Sequence, residues 1–242
     1  MKQYLYGKQP VLTRIKQNKE IHHLYVLDTP SHKDVITLAK KSNIAYTLVA
    51  KKQLDKLVSG NHQGVVAEIV QYQTVELSEV LNNVDPQKPG LLVMLDGVVD
   101  PHNVGAILRT CDAVNADAII IKKHGSAKLT STVAKVSAGA IESVPVAMVT
   151  NLTKTIDELK TLGYWIVGTD MDNASYYRDV DYTTNIVLIV GSEGDGISPL
   201  VKKQCDFMVQ LPMEGVVSSL NVSVASAVLL YEIYHQRSHT NR

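Results

Sequence analysis

The sequence is poor in cysteine and in aromatic residues other than tyrosine. It has 2 cysteines, 1 tryptophan and 1 phenylalanine in 242 residues, and aromatics make up 5%. Cys111 and Cys205 lie far apart without a CxxC spacing. This excludes a sequence-evident zinc finger or disulfide framework and suits a reducing cytosol. Apolar residues make up 45%, which is ordinary for a globular protein and predicts an aliphatic core.

Long apolar runs are also missing. The N-terminal stretch MKQYLYGKQP lacks the apolar segment of a secretory signal, and no run of about 18 apolar residues predicts a membrane span. We therefore expect a cytoplasmic protein that does not enter a membrane. No set of His, Cys and carboxylate residues has metal-ligand spacing, so we also expect no catalytic metal.

The common nucleotide and hydrolase signatures are absent from the sequence. No GxxxxGK[ST] occurs, which disfavours a P-loop NTPase, and no GxSxG occurs, which disfavours an α/β-hydrolase. The glycine-rich stretch at 191–196 reads GSEGDG and follows a late strand. It therefore disfavours a nicotinamide-binding Rossmann domain, although backbone N–H groups in such a turn can still bind a small polar ligand.

The charge is balanced overall but unevenly distributed. The chain has 24 basic and 24 acidic residues; residues 1–75 carry 11 basic and 5 acidic ones, a net charge of +6, so residues 76–242 carry −6. A basic module joined to an acidic one suggests that the first module binds a polyanion such as nucleic acid. A solvated lysine surface is the alternative.

The distribution of turn-forming residues and apolar runs along the sequence predicts two domains. Residues 82–90 (NNVDPQKPG) are rich in turn formers, and we place a linker at 76–90 between a small α/β domain at 1–75 and a larger one at 91–242. In the larger domain, buried apolar runs alternate with helical segments, which predicts a parallel, doubly wound sheet. A final helix is expected over residues 219–236.

Three loops of the larger domain are unusual, and each follows a predicted strand. In a parallel sheet such loops meet at the carboxyl edge, where ligands bind. The loops are DGVVDPHNVGAILR at 96–109, GSEGDGIS at 191–198 and LPMEGVVSSLN at 211–221.

In order and spacing these loops resemble the three motifs of the SpoU (TrmH) family of RNA ribose 2′-O-methyltransferases. The N-terminal part is similar to that family's substrate-binding domain. The matching residues are Asn103 to Arg109 (NxxxxxR), Gly191 to Gly194 (GxEG), Pro212–Met213 followed by Ser218 to Ser223 (SSLNVS), and, in the first domain, Tyr6–Gly7 and Asn61 to Ala67 (NHQGVVA).

The resemblance implies a fold and an activity that periodicity alone does not. It implies a knotted SPOUT-type parallel sheet with a smaller, ribosomal-protein-like α/β domain in front of it. The donor would be S-adenosylmethionine, the target a guanosine ribose in 23S ribosomal RNA, and the working unit a homodimer whose final helix contacts the partner subunit.

Five polar residues are the implied catalytic set. Arg109 would hold the RNA phosphate and lower the pKa of the nearby 2′-hydroxyl, because an arginine is too basic to accept the proton itself. Glu193 would position Arg109 or the ribose. Asn103, also a plausible N-cap of its helix, would orient Arg109 or the substrate. Ser219 and Asn221 would be polar groups near the donor and the ribose, with Ser219 the alternative N-cap of the final helix.

The implied donor site consists largely of backbone. Gly191, Leu211 and Leu220 match family positions whose backbone meets the donor, and Thr169 is a weaker candidate for the adenosine pocket. Otherwise Leu211 and Leu220 are plain core residues.

Three other functions remain open at this point. A transfer RNA ribose methyltransferase is disfavoured because the shorter tRNA enzymes lack the basic N-terminal domain. A ribosomal RNA methyltransferase that confers antibiotic resistance has the same chemistry. A catalytically silent RNA-binding assembly factor is disfavoured by the intact set of polar residues.

Overall fold

The fold divides the chain into two compact units. A computed structural model describes residues 3–170, 174–217 and 219–240. Unit 1 consists of Met1–Gln73 and Leu129–Ser143, and unit 2 of Thr74–Lys128 and Val144–Arg242. Among the described residues, no helix combines the length and the hydropathy that a membrane crossing requires.

Strands and helices alternate along most of the chain. In chain order the elements are β1 (Gln3–Tyr6), α1 (Lys8–Lys16), β2 (Ile21–Leu27), α2 (Lys33–Lys41), β3 (Tyr46–Val49), α3 (Lys51–Leu57), β4 (Val65–Ile69), α4 (Leu77–Asn83), β5 (Leu91–Asp96), α5 (Pro101–Ala113), β6 (Ala118–Lys122), α6 (Ser131–Val136), β7 (Val146–Val149), α7 (Leu152–Thr161), β8 (Trp165–Thr169), β9 (Ser175–Tyr176), β10 (Ile186–Gly191), α8 (Pro199–Lys202), β11 (Phe207–Gln210) and α9 (Val222–Thr240).

Unit 1 is built on a four-stranded mixed sheet in the order β1-β4-β2-β3. Strand β4 runs antiparallel to β1 and β2, whereas β2 and β3 are parallel. Its core is aliphatic, with Leu5, Val11, Leu24 and Val35 fully buried. The alternation of buried and half-buried residues along β2 is what a sheet with differently covered faces requires.

The segment 129–143 belongs to unit 1, although it lies far from residues 1–73 in the sequence. Helix α6 packs against β1, and Gly139 lies so close to α1 that a Cβ there would come within 2.8 Å of Thr13. Nothing in the sequence analysis separates this segment from the larger domain. The reason is that its contacts are long-range and leave no local pattern.

Unit 2 contains a seven-stranded, fully parallel sheet in the order β7-β6-β5-β10-β8-β11-β9. The central strand β10 is buried along its whole length, as expected of a strand covered on both faces. Helix α5 packs against α9. The sheet is the parallel α/β layer that the apolar runs predict.

Several elements differ from the sequence-based expectation. Helix α4 lies within the expected linker, and its Leu77 and Val80 are buried in the core of unit 2. Neither strand β1 nor helix α1 was predicted. Pro10 lies in α1 and disfavours a helix in a sequence pattern, but proline is tolerated in the first turn of a helix, which is where Pro10 lies. Helix α9 begins three residues later than expected, at Val222.

Candidate active site

The three unusual loops start at the same edge of the parallel sheet. Gly191, the last residue of β10, is paired in register with Asp96, the last residue of β5. Strand β8, ending at Thr169, lies between β10 and β11. Because all these strands are parallel, their carboxyl ends form one edge of the sheet, and the loops after β5, β10 and β11 leave from that edge.

Asn103, Glu193 and Asn221 form a hydrogen-bonded cluster at this edge. Asn103 Nδ2 donates to Glu193 Oε1 at 3.1 Å. Asn221 Nδ2 donates to the same oxygen at 2.5 Å and to Asn103 Oδ1 at 2.9 Å. One residue comes from each of the three loops, so the fold joins positions that are 118 residues apart. We call these three residues the polar triangle.

Asn103 belongs to the first turn of α5 but is not its N-cap. Asp100 takes that role, its Oδ1 accepting from the His102 backbone N–H at 2.9 Å. The physical reason is Pro101 at the first helical position, where the missing N–H costs nothing and φ is already helical. Asn103 is only 6% exposed. Because Asp100 caps the helix, the side chain of Asn103 is available to bind Glu193.

Asn221 also starts the final helix. Its Oδ1 accepts from the Ser223 backbone N–H at 2.9 Å and from the Ser223 hydroxyl at 2.5 Å. The expected N-cap, Ser219, lies two residues before this position and is exposed. The side-chain oxygen of Asn221 thus caps α9 while its amide nitrogen completes the polar triangle. Ser218, which belongs to the same motif, lies outside the described residues.

Arg109 and Ser219 are not hydrogen-bonded to the polar triangle within this chain. Arg109 is exposed, and its side chain forms no hydrogen bond or ion pair with another described residue. It follows Asn103 by six helical residues, which places the two side chains about 120° apart around the axis and about 9 Å apart along it. Glu193 therefore binds the two asparagines, and Arg109 is left open to solvent.

The implied donor residues lie at the same edge. Thr169 ends β8, Gly191 ends β10 and Leu211 follows β11. A Cβ on Gly191 would come within 2.0 Å of the Gly196 backbone, so only glycine lets the loop 192–196 fold back over the strand end. Leu220, on the third loop, is 39% exposed.

The chemistry of this edge fits S-adenosylmethionine. The third loop exposes the apolar side chains of Met213, Val217 and Leu220, which suit an adenine face and a methyl thioether. Among the described residues, no backbone–backbone hydrogen bond involves positions 212–217, 219 or 220. The loop therefore presents N–H and C=O groups that bond to no other described backbone group, and they lie beside apolar surface, as a ligand with a polar and an aromatic part requires.

Sequence reasoning missed two further residues of this edge. Asp96 Oδ2 accepts from the Ser198 backbone N–H at 2.8 Å, which closes the second loop onto the end of β5. Asp100 caps α5 as described above. The DGVVD stretch at 96–100 could have indicated both residues, because its two aspartates flank the turn between a buried strand and a helix that begins with proline.

Neither cysteine has the character of a nucleophile. Cys111 is fully buried on α5, and burial raises the pKa of its thiol far above the ordinary value. Burial, with Asp206 nearby, raises the pKa of Cys205 to about 11. In the part of the chain that the structure describes, no group of three His, Cys, Asp or Glu side chains is arranged to hold a metal ion.

Comparison with protein families gives two matches that together span most of the chain. The model of the SpoU rRNA methylase family matches residues 90–231. The model described as RNA 2′-O ribose methyltransferase substrate binding matches residues 4–75.

The chain is similar to a named relative and to proteins of known structure. YacO of Bacillus subtilis, named as a TrmH family tRNA/rRNA methyltransferase, is 43% identical over 240 residues, covering 97% of this chain and 96% of YacO. The SpoU methyltransferase AviRb of Streptomyces viridochromogenes, solved in complex with AdoMet, is 25% identical with a TM-score of 0.80, covering 97% of this chain and 90% of AviRb. The TrmH/SpoU tRNA modifying enzyme of A. aeolicus is 33% identical with a TM-score of 0.60, covering 68% of this chain and 84% of that enzyme. These likenesses confirm the predicted fold class, a SPOUT-type sheet preceded by a smaller α/β domain.

Proposed function

The chain belongs to the SpoU rRNA methylase family of RNA ribose 2′-O-methyltransferases, and from this membership we propose that it methylates a guanosine ribose of 23S ribosomal RNA. The donor is S-adenosylmethionine. We place the enzyme in the cytoplasm, a reducing compartment that suits its two free thiols.

The polar triangle carries the proposal. A protein that only binds RNA has no need for a carboxylate held by two amides at the carboxyl edge of a parallel sheet. Glu193 Oε1 accepts hydrogen bonds from Asn103 and Asn221, while the Glu193 side chain itself is exposed. Its second oxygen, Oε2, can therefore accept a hydrogen bond from a ribose hydroxyl at a fixed place.

Arg109 acts on the attacking ribose hydroxyl separately from the polar triangle. A ribose hydroxyl is a poor nucleophile at neutral pH, so methylation needs its proton removed and its oxygen aligned. A guanidinium that binds the adjacent phosphate favours the alkoxide electrostatically and lowers the pKa of the hydroxyl. The exposure of Arg109 leaves its guanidinium free for that contact.

The donor is held mainly by backbone at the strand ends. When bound, S-adenosylmethionine supplies an electrophilic methyl group on a sulfonium. Thr169, Gly191 and Leu211 surround it from three neighbouring strands, and the apolar side chain of Leu220 excludes water from its side. These residues bind and orient the donor, whereas the polar triangle and Arg109 orient the ribose.

The N-terminal unit favours ribosomal RNA over transfer RNA. Residues 4–75 match the substrate-binding model, whereas the likeness to the A. aeolicus tRNA-modifying enzyme covers 68% of this chain. The net charge of +6 on residues 1–75 suits a large folded RNA.

We also propose that the enzyme is a homodimer joined through the outer face of α9. Val224, Val228, Tyr231 and Tyr234 are 38–52% exposed on successive turns of this helix. Val228, Tyr231 and Tyr234 border a groove of about 770 Å³ that is also lined by Tyr177 and Arg178. A contiguous apolar face of this kind is typical of a subunit interface. Leu229, by contrast, is 2% exposed and packs inside its own subunit.

The decisive experiment maps methylation in cells and in vitro. A strain lacking the gene should lose one 2′-O-methylguanosine from 23S ribosomal RNA, and the purified protein should restore that mark with labelled S-adenosylmethionine. Transfer RNA from the same strain serves as the competing substrate. Restoration of a tRNA mark alone would replace the ribosomal assignment with the tRNA one, and no methylation of either RNA would contradict an enzymatic role.

A further inference from the structure

All three α-helices of residues 1–73 begin with lysine, and they begin at the same end of the sheet. Lys8 begins α1, Lys33 begins α2 after a 3-10 turn, and Lys51 with Lys52 begins α3. Strands β2 and β3 are parallel, with Leu27 paired to Val49, so α2 and α3 leave from the same edge. Helix α1 leaves there as well, because the N–H of Gly7 donates to the Val65 carbonyl at the start of β4.

Folding does not explain lysines at these positions. The first turn of a helix carries a partial positive charge, so cations are disfavoured there and favoured at the opposite end. Lys16, Lys40 and Lys41 lie in last turns, where the helix dipole stabilises them. Lys33, Lys51 and Lys52 are exposed in first turns and form no ion pair with a described residue. A role outside the folded chain accounts for them better than a role within it.

The carboxylates at this end are mostly engaged already. Asp34 binds Lys8 Nζ at 3.0 Å, and Asp55 accepts from His62 Nε2 at 3.0 Å. Of the described carboxylates named at this end, only exposed Asp28 is left to balance the charge of the three unpaired lysines. A fourth cation, Lys135, lies over the ring of Tyr6 at 5.2 Å, at the end of β1.

The loop 61–64 leads into β4 at this same end of the sheet and is held by two buried histidines. His62 Nδ1 accepts from the Gly64 backbone N–H at 2.9 Å, which leaves its Nε2–H to bind Asp55. His32 Nε2 lies 2.9 Å from the Gln63 carbonyl. Gly64 has a φ of +78°, and a Cβ there would come within 2.4 Å of His32, so only glycine is tolerated. A ligand at this end therefore meets a surface that is ordered in advance.

We propose that Lys33, Lys51 and Lys52, together called the lysine end, bind the phosphate backbone of the substrate RNA. The inference rests on the proposed function and adds to it the surface of the N-terminal unit that contacts RNA. The occupant follows from charge complementarity: unpaired, exposed ammonium groups on a rigid surface match a polyanion. Asn61 and Gln63 are exposed in the loop that leads into β4, the strand next to β2, and can hydrogen-bond sugar or phosphate oxygens at the same end of the sheet.

The test compares two triple variants of the full-length protein with equal loss of charge. Lys33→Ala/Lys51→Ala/Lys52→Ala removes the lysine end, and Lys16→Ala/Lys40→Ala/Lys41→Ala removes three exposed lysines from the other end of the same sheet. The two ends are about 20 Å apart along a 7-residue strand, which exceeds the Debye length of about 10 Å at 0.1 M salt. Binding to protein-free 23S ribosomal RNA is measured over a range of KCl concentrations, with urea unfolding as a check on folding.

The lysine-end variant should bind RNA about 100-fold more weakly at 0.1 M KCl, and its salt slope should fall by about 2, since each lost phosphate contact removes about 0.7. The control variant should stay within about 3-fold of the unchanged protein, and both should bind S-adenosylmethionine normally. Equal losses in the two variants, or no loss in the first, would overturn the proposal while leaving the methyltransferase assignment intact. Failure of the unchanged protein to bind or methylate this RNA would instead count against the proposed function.

Discussion

Arg14 and Glu142 form a buried ion pair across 128 positions of the sequence. Arg14 Nη1 lies 2.9 Å from Oε1 and 3.0 Å from Oε2 of Glu142, and the two side chains are only 7% and 2% exposed. Arg14 Nε also donates to the Glu20 carbonyl at 2.9 Å, and the Tyr72 ring covers the guanidinium at 5.6 Å. The pair fastens the segment 129–143 to α1. A truncated chain that lacks residues 1–75 would leave the Glu142 carboxylate without its partner, so point variants are the better test of the N-terminal unit.

The first prediction is that Glu142→Gln destabilises the protein by about 3–5 kcal/mol, because it leaves the charge of Arg14 buried and unpaired. Urea unfolding measures the loss. Lys88→Ala, which breaks the exposed Lys88–Asp85 pair at 3.1 Å, should cost less than about 1 kcal/mol. The double change Arg14→Met/Glu142→Leu should recover most of the stability, since well-packed apolar residues often replace a buried pair without loss. A double variant as unstable as the single one would contradict this account.

The polar triangle shows how much of the site the sequence could predict. Asn103, Glu193 and Asn221 were expected at one edge because each follows a strand of a parallel sheet, and that rule needs only the strand assignments. The hydrogen bonds between them could not be predicted, because they depend on where α5 and α9 begin. Asp100 rather than Asn103 caps α5, and Asn221 rather than Ser219 caps α9.

The segment 129–143 marks the limit of sequence reasoning. The segment contains helix α6, but no local pattern in its sequence indicates strand β1, against which the helix packs. The partner of Glu142 is an arginine in the first helix, and nothing local to either residue points to the other. Pairing of this kind is set by tertiary packing, whereas periodicity reports only which face of an element is buried.

The second prediction separates the two roles of Asn221. Asn221→Asp keeps an oxygen that can cap α9, and a carboxylate suits a helix N-terminus, so the cap of α9 should be preserved. The same change removes the amide donor and places a second carboxylate against Glu193. Single-turnover methylation should therefore fall by about 100-fold or more.

Asn151→Asp is the matched control for this variant. Asn151 caps α7 in the same way, its Oδ1 accepting from the Thr153 and Lys154 backbone N–H groups, but it lies outside the site. It should leave both the melting temperature and the methylation rate unchanged. If Asn221→Asp is as active as Asn151→Asp, the polar triangle has no part in catalysis.

The third prediction concerns assembly. Val228 is 38% exposed on the outer face of α9, so Val228→Arg should place a charge in the proposed interface and convert the dimer to a monomer. Light scattering at micromolar protein concentration measures the mass of the particle in solution and so distinguishes dimer from monomer. Leu162→Arg, at a residue 51% exposed beyond the end of α7, should leave the dimer intact. An unchanged protein that is monomeric and active at the same concentration would refute the proposed assembly.

The fourth prediction concerns the chemical step. Arg109→Ala should lower the single-turnover methylation rate by about 100-fold or more and leave S-adenosylmethionine affinity nearly unchanged. The reason is spatial: the donor residues Thr169, Gly191 and Leu211 lie at the strand ends, whereas Arg109 is exposed on α5 and is not hydrogen-bonded to the polar triangle. An interaction made mainly in the transition state lowers the rate rather than the donor affinity when it is removed.

Two further variants sharpen the test of Arg109. Arg109→Lys should not rescue the rate, because a compact ammonium cannot reproduce the planar fork that binds a phosphate through two hydrogen bonds. Lys154→Ala, which removes an exposed cation from α7, should have the normal rate. Tritiated-methyl transfer to ribosomal RNA measures the rate, and calorimetry on the same samples measures donor binding. A normal rate for Arg109→Ala, or a loss of rate explained entirely by lost donor binding, would remove Arg109 from the catalytic set, because its assigned contact is with the ribose and its phosphate.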